Sequence, residues 1–204
     1  MRSSLRITSF AAVLAVVGAA PGRAQVQAVS LFVHGGGYSA LKSLNRDGTA
    51  DFKTGFTLGG GIGFEVDRNV ELRVSLTGAQ SHFLRDGAET GAYLNRYYFT
   101  GALKGQYPFA GGLTPYGTVG GGVVVLHEKG TTAGNRTRGF AHLGVGLAYA
   151  VRKDLSCFVQ GDGFFYSLSE LTGGALGAFT RSQADVAWSV GVAYKFSLSV
   201  PSGP

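Results

Sequence analysis

Strict two-residue alternation between apolar and small or polar side chains is the feature that most restricts what this chain can fold into. From Phe56 to Val66 every even position is apolar or glycine, and every odd position is threonine, glycine or glutamate. The same period continues over 70–77 and returns over 185–196. Successive side chains of a strand point to opposite faces, so the pattern predicts strands with two unlike faces.

Eight segments of this kind follow one another along the chain, with limits defined to within ~2–4 residues. They span residues 27–38, 53–66, 70–82, 93–109, 114–126, 138–151, 155–167 and 184–196. Short links at 67–69, 110–113 and 152–154 alternate with long polar connections, which lie near 39–52, 83–92, 127–137 and 168–183. Every long connection therefore falls at one end of the array. This arrangement predicts an all-β, eight-stranded, antiparallel up-and-down transmembrane β-barrel.

The two faces of these strands differ in charge, and the difference indicates which one points outward. One face is essentially free of ionised side chains, whereas the other carries Glu65, Glu71, Arg73, Arg96, Lys104, Asp162, Asp185 and Lys195. Acids and bases in equal number can neutralise one another inside a closed lumen, where an unpaired ion is costly. A water-facing exterior would carry more charge than a chain with 15% charged residues and 34 glycines provides. We therefore predict that the uncharged face contacts lipid; a soluble periplasmic ligand-binding barrel would have the charged face outward.

Aromatic residues on the uncharged face gather near both ends of the predicted strands. The group near the short links is Phe64, Tyr107, Phe109, Tyr149, Tyr194 and Phe196. The group toward the long connections is Phe56, Tyr97, Phe99, Phe165 and Trp188. Aromatic residues favour strands in general, which explains their number but not their position. Their position predicts two girdles at two lipid–water interfaces.

The first residues have the pattern of an export signal. Arg2 and Arg6 precede an uncharged apolar stretch at 7–20, and small residues at Gly22 and Ala24 follow it. This order predicts a secretory signal peptide that is cleaved after Ala24. The alternative is a retained membrane anchor, but the apolar stretch is shorter than the ~20 residues of a spanning helix.

Cleavage there would remove a signal peptide at 1–24. The rest of the chain would comprise a barrel domain at 25–196 and a short C-terminal extension at 197–204. Cleavage would remove three arginines and no acid, leaving 15 bases and 12 acids, so the formal charge would fall from +6 to +3. With that charge and no dense run of lysine and arginine, we predict no binding of nucleic acid.

Two stretches carry a resemblance to a known family. The strand Thr114–Gly122 (TPYGTVGGG) is similar to a Pro-Tyr-x-x-x-Gly-x-Gly strand, and Val190–Phe196 (VGVAYKF) is similar to the C-terminal aromatic signal read by the barrel-insertion machinery. The chain thus resembles the small bacterial eight-stranded outer-membrane β-barrel proteins over roughly 26–196. The family pattern ends at the terminal phenylalanine, whereas Ser197–Pro204 continue here. The resemblance implies export through the secretory pathway to the outer membrane of a Gram-negative-type bacterium, among its lipids and lipopolysaccharide.

Four histidines are the candidates for chemistry: His34, His82, His127 and His142. Some barrels similar to this one are lipid A deacylases or palmitoyltransferases with histidine and serine near the long-loop rim, where Ser81 and His82 lie and Asp86 follows. Adjacent strand residues point to opposite faces, so Ser81 and His82 would not form a nucleophile–base pair. The lone Cys157 falls on the lipid face, and the sequence has no metal-ligand or phosphate-loop spacing. We therefore predict no catalytic residue, no cofactor and no metal site.

A wide channel through the predicted barrel is excluded by its size, because side chains about fill the interior of eight strands. Six aromatic residues share the inward parity and would fill it further: Phe32, Tyr98, Phe140, Phe158, Phe164 and Tyr166. The charged lumen residues are better explained by a network of mutual ion pairs than by a gated ion path.

These observations predict a monomeric, non-enzymatic outer-membrane barrel with a structural or surface-interaction role carried by its long extracellular loops. Bases in or beside these loops are candidates to meet lipopolysaccharide phosphates, although ordinary solvated charge explains them as well: Arg46, Lys53, Arg85, Lys129, Arg136, Arg138 and Arg181. The alternative of the same architecture is a lipid A-modifying outer-membrane enzyme.

Overall fold

The computed structural model describes residues 26–41, 50–129, 135–167, 171–172, 178–179 and 182–198. Within them the strands are β1 (Ala28–Ala40), β2 (Ala50–Phe52), β3 (Gly55–Asp67), β4 (Val70–Arg85), β5 (Ala88–Gln106), β6 (Leu113–Lys129), β7 (Arg136–Ala150), β8 (Leu155–Ser167), β9 (Leu171–Thr172), β10 (Ala178–Phe179) and β11 (Ser182–Ser197). The predicted signal peptide at 1–24 lies outside the described residues. So do Arg46, Arg181 and the side chain of Lys129.

The long strands among the described residues close into a ring in the order β1–β3–β4–β5–β6–β7–β8–β11, and β11 pairs with β1. Every neighbouring pair of the ring is antiparallel. The closing seam runs from the pair Ala28 and Ser197 to the pair Ala40 and Asp185. The predicted eight-stranded up-and-down barrel is confirmed. No helix in the described ranges is long and apolar enough to cross a membrane.

The burial of the side chains confirms which face of the strands points outward. The uncharged face is exposed, with Leu58 at 67%, Val145 at 71% and Val190 at 61% of full exposure. On the other face, Glu71, Arg73, Arg96, Lys104, Asp162 and Asp185 are all buried. Because the apolar side chains surround the ring and the charged ones fill it, the outer surface suits hydrocarbon rather than water.

The register places the exposed aromatic residues at two levels. Phe56 on β3 lies opposite Gly37 on β1, and Gly37 lies opposite Trp188 on β11, so both rings sit at one level near the long-loop end. At the short-turn end, Val29 lies between Phe64 and Phe196 in the same way. These levels match the two girdles that the sequence predicts, separated by aliphatic residues.

One predicted connection is wrong. The segment 83–92, expected as a long polar loop, continues the ladder of β4 and β5 up to a two-residue turn at Asp86 and Gly87. Both turn residues have positive φ, 50° and 79°, as a type I′ hairpin turn requires, and Asp-Gly is a favoured pair for it. The ladder shifts register between His82 and Leu84. Polar side chains there mark strands that have left the apolar layer, not the absence of strand.

The strand limits also differ slightly from the prediction before β3. The segment expected from residue 53 begins at Gly55, and β2 precedes it as a separate short strand that pairs with β4. Phe52 lies opposite Phe83 in this pairing. β2 therefore extends the sheet beyond the end of β3 and adds a third strand to the hairpin of β4 and β5.

Candidate functional site

The buried centre of the long-loop half of the barrel is an ion pair between Arg96 on β5 and Asp185 on β11. Arg96 Nε lies 3.8 Å from Asp185 Oδ2, and both side chains are fully buried. Both residues have inward parity on their strands. The positions that the sequence predicts as lumen charges therefore meet across the interior.

Three tyrosine hydroxyls converge on the same carboxylate oxygen. Tyr98 donates to Asp185 Oδ2 at 3.2 Å, and Tyr38 and Tyr166 also donate to it. Gln183 donates to Asp185 Oδ1 at 3.1 Å. A buried carboxylate with this many donors is well compensated, and the network joins β1, β5, β8 and β11.

The Arg96 guanidinium is held by further contacts as well. Its Nη1 donates to Ser81 Oγ at 2.5 Å and its Nε to the Tyr166 hydroxyl at 3.2 Å. Its plane covers the Phe52 ring, with Cζ 4.1 Å from the ring centroid. Cation–π contact of this kind is stronger where water is excluded. Sequence parity did not indicate Phe52, because β2 was not predicted.

Apolar side chains close the lumen above this ion pair. The rings of Phe52 and Phe83 pack with centroids 5.0 Å apart, and Leu94 and Leu126 are buried in the same cluster. Tyr98 also stacks on Phe164, with the ring centroids 4.3 Å apart. The six inward aromatic residues that the sequence predicts are all buried. The long-loop mouth is thus filled by side chains rather than open.

Two histidines with inward parity lie in the middle of the lumen. His142 Nε2 lies 2.7 Å from Asp162 Oδ1, and Gln160 Nε2 donates to both oxygens of that carboxylate. His34 Nε2 lies 3.4 Å from Thr77 Oγ1. These residues border a cavity of about 30 Å³, called the central chamber below.

Several polar atoms that face the central chamber have no hydrogen-bond partner among the described residues. They are His34 Nδ1, Thr118 Oγ1, His142 Nδ1 and Ser189 Oγ. All four residues line the chamber. A buried polar atom without a partner is costly, and a chamber of this size accommodates about two or three water molecules, given the ~10–15 Å³ that one needs. The chamber is therefore suited to buried water rather than to an organic ligand.

The short-turn half of the lumen is organised around Glu71 on β4. Arg73 Nε donates to Glu71 Oε1 at 3.1 Å, and Lys104 Nζ donates to Oε2 at 2.8 Å. Ser30 Oγ also donates to Oε1, at 2.8 Å. Nearer the rim, Lys195 Nζ lies 2.5 Å from Glu65 Oε2. Ion pairs of the kind that the charge pattern predicts are thus present in both the short-turn and the long-loop half of the lumen.

The serine and histidine that most resemble catalytic residues are separated. Ser81 is fully buried and accepts the hydrogen bond from Arg96. His82 is on the opposite face, with its side chain 45% exposed and its Nδ1 3.9 Å from Glu89 Oε2. Asp86 lies in the hairpin turn. Ser81 and His82 therefore lie on opposite faces of β4, as the alternation of strand side chains predicts.

The remaining candidates lie apart from one another. His127 Nδ1 contacts the Asn135 side chain near the long-loop rim. Cys157 is exposed on the outer face, as its parity indicates. Within the described part of the chain, histidine, cysteine, aspartate and glutamate side chains form no group of three or more that is placed to hold a metal ion.

Comparison with known proteins identifies the family. A model of the family described as "Outer membrane protein beta-barrel domain" matches residues 9–196. The chain belongs to this family. Outer-membrane β-barrels of this family occur in Gram-negative bacteria, so the bilayer that the apolar face contacts is an outer membrane. No curated protein matches significantly.

Solved structures share the fold of this outer-membrane β-barrel. The Neisserial surface protein A aligns with a TM-score of 0.58 at 12% identity, over 84% of this chain and 98% of that chain. The N-terminal barrel domain of Pseudomonas aeruginosa OprF gives 0.52 at 16% identity, over 83% and 98%. The Yersinia pestis attachment invasion locus protein Ail gives 0.50 at 14%, over 83% and 99%. At these identities the likeness establishes the fold alone.

Proposed function

We propose that this outer-membrane barrel is non-enzymatic and acts through its extracellular end as an interaction surface, while its lumen is structural. The observation that carries the proposal is the closure of the lumen by Arg96, Asp185 and the Phe52–Phe83 pair, directly beneath a paired hairpin. In barrels of this type the short turns face the periplasm, so the hairpin faces the cell exterior.

The hairpin of β4 and β5 is held by pairing and side-chain contacts that suit it to recognition. From Ser81 to Arg85 the strand continues for roughly 14 Å, at about 3.4 Å per residue. Lys53 Nζ, just after β2, donates to Glu89 Oε1 at 2.6 Å, and Thr90 Oγ1 donates to the Phe83 carbonyl at 3.2 Å. The hydrogen bond from Lys53 holds the pKa of Glu89 below its ordinary value. Surface segments on a rigid scaffold are suited to binding.

The partner chemistry that we propose is the phosphate groups of lipopolysaccharide. Arg136, at the start of β7, is exposed, and Arg138 is partly exposed with Nη1 donating to the Thr137 carbonyl at 3.2 Å. Arginine is well suited to phosphate because its guanidinium donates two parallel hydrogen bonds. Ail, which shares the fold, has been solved in complex with the heparin analogue sucrose octasulfate. The ligand of Ail in that complex is an anionic saccharide, the same chemistry as the partner proposed for this chain.

Co-purification with lipopolysaccharide tests this partner. The double variant Arg136→Gln/Arg138→Gln should retain several-fold less lipopolysaccharide after detergent extraction than the unchanged protein. Arg152→Gln, which removes a base from the opposite end of the barrel, should retain the same amount. Equal retention by all three proteins would contradict the proposal for lipopolysaccharide.

Two further measurements test the structural lumen and the absence of catalysis. Proteoliposomes should show no swelling in a pentose sugar, since side chains fill the extracellular mouth. Lipid A from cells with and without the protein should have the same acyl pattern by mass spectrometry. An altered pattern that disappears with His82→Ala or His127→Ala would instead establish a lipid A-modifying enzyme.

We also propose that the protein is a monomer inserted by the barrel-insertion machinery. Each long strand of the described ring is paired on both sides, so none of these strands offers a free edge to a second copy. Phe196, in the segment that resembles the insertion signal, lies near the end of β11 opposite Val29. Migration as a single species in mild detergent tests the oligomeric state.

A further inference from the structure

The lumen widens at its short-turn end into a cavity of about 290 Å³, called the periplasmic vestibule below. Its wall includes Arg68 and Arg152 from the short links, so it opens at the end that faces the periplasm. Its bases are Arg68, Arg73, Lys104, Arg152, Lys153 and Lys195, whereas its acids are Glu65, Glu71 and Asp154. The described lining therefore carries more positive than negative charge.

The excess of positive charge begins at the floor of the vestibule. Arg73 and Lys104 share the single carboxylate of Glu71, at 3.1 and 2.8 Å. The pair of Lys195 and Glu65 is balanced by itself. The floor thus has one cation more than it has carboxylates. The Arg73 and Lys104 side chains are only 9% and 8% exposed, so water screens this charge less than it would at a surface.

The other lumen carboxylates are engaged elsewhere. Asp162 contacts His142 and accepts two hydrogen bonds from Gln160. Asp185 is held by Arg96 and the tyrosines at the far end of the lumen. Neither carboxylate has a hydrogen bond or ion pair with Arg73 or Lys104 among the contacts of the described residues. The vestibule therefore offers cationic donors to a group that enters from outside.

We propose that the periplasmic vestibule binds a small oxyanion, a carboxylate or phosphate group, that enters from the periplasm. Lys104 and Arg73 contact the anion at the floor, and the bases of the short links attract it to the mouth. A recess with an excess of one sign of charge concentrates ions of the opposite sign, and charge-assisted hydrogen bonds hold them. The volume is near the lower limit of small-molecule pockets, ~300 Å³, so the anion carries few further groups.

Ligand titration of the isotope-labelled protein, followed by the NMR shifts of its amides, tests the site. The whole chain is refolded in zwitterionic micelles and titrated with inorganic phosphate, with citrate and, at matched ionic strength, with chloride. Phosphate or citrate should cause saturable shifts of amides in the vestibule wall, such as Ala148 and Ala193, but not of Ala88 in the extracellular hairpin. A preference between the two identifies which oxyanion the site favours. Shifts that chloride reproduces, or that do not saturate, overturn the proposal.

Three variants connect such binding to the surplus charge. Lys104→Met leaves Glu71 paired with Arg73 and should weaken binding by about tenfold, as expected for one charge-assisted hydrogen bond. Should that variant not fold, Arg152→Gln/Lys153→Gln at the mouth should weaken binding by roughly threefold through the loss of electrostatic attraction. Lys53→Gln removes one base at the far end of the barrel and should leave the affinity of the vestibule for the oxyanion unchanged. Unchanged affinity in the folded vestibule variants overturns the proposal, as does a Lys104 amine found neutral at pH 7.

Discussion

Arg96 and Asp185 form an ion pair between strands on opposite sides of the ring, with Nε and Oδ2 3.8 Å apart and both side chains inaccessible to solvent. β5 and β11 are separated by three strands in either direction around the barrel. The contact therefore spans the interior rather than following the wall. It fixes the separation of the two halves of the ring at the long-loop end.

The first prediction concerns this cross-lumen contact. Asp185→Asn removes the negative charge and leaves Arg96 buried without a counter-ion, which should lower the free energy of unfolding by ~3–5 kcal/mol. Urea unfolding in micelles, followed by the fluorescence of Trp188 and by heat-modifiable gel migration, measures the change. Asp67→Asn, at an exposed position at the end of β3, is the matched control. Equal stability of the two variants would show that the buried pair contributes little.

The second prediction concerns the outer face. Val74 is 57% exposed at the middle of β4, so Val74→Arg should lower stability in a bilayer by ~2–4 kcal/mol. Val74→Leu should have a small effect, because the side chain remains apolar. Ser75→Arg, on the inner face, should be limited by space and charge balance instead. Folding yield in lipid vesicles checks the series, and normal insertion of Val74→Arg would contradict a lipid-facing Val74.

The third prediction compares two glycines that differ in available space. A Cβ atom on Gly122 would overlap the backbone carbonyl oxygen of Phe99, whereas one on Gly161 meets nothing within 4 Å. Gly122→Ala forces the backbone to shift and should lower the free energy of unfolding by ~1–3 kcal/mol. Gly161→Ala should change it by less than ~0.5 kcal/mol. The same urea unfolding assay measures both, and the reverse order would contradict the close approach of Gly122 to Phe99.

The fourth prediction concerns pH and the extracellular hairpin. The hydrogen bond and charge of Lys53 hold the pKa of Glu89 below its ordinary value of 4.5. A lowered pKa means that the pair stabilises the hairpin at pH values above that ordinary pKa and that this contribution is lost as the pH falls through the pKa in the folded protein. Carboxyl ¹³C NMR should find Glu89 titrating below 4.5. Lys53→Met should return the pKa toward that value, and an unchanged titration would exclude the pair.

Much of the lumen could be predicted from residue parity alone. Glu71, Arg73 and Lys104 fall on one face because alternate residues of a strand share a side, and their charges could only be tolerated inside if they paired. Parity gives no register between strands that are distant in sequence. The sharing of one carboxylate by Arg73 and Lys104, and of another by three tyrosines, therefore emerges only from the structure.

The sequence does not predict the hairpin at 83–92, because its composition is that of a loop. Arg85, Asp86 and Glu89 interrupt the apolar face, and polarity alone does not distinguish a loop from a strand in water. The Asp86–Gly87 pair was the available signal, since it favours a two-residue turn. Phe52 was missed for a related reason, because a three-residue strand is too short to show a period.

The seam between β1 and β11 also determines how the molecule must be assembled. These strands come from opposite ends of the folded region, and each is the other's neighbour from Ala28 and Ser197 to Ala40 and Asp185. A polypeptide that stops before β11 has two unsatisfied edges, and hydrocarbon does not tolerate unpaired peptide groups. A partly synthesised chain is therefore not stable in the bilayer. The barrel must enter the membrane as a complete, closed ring.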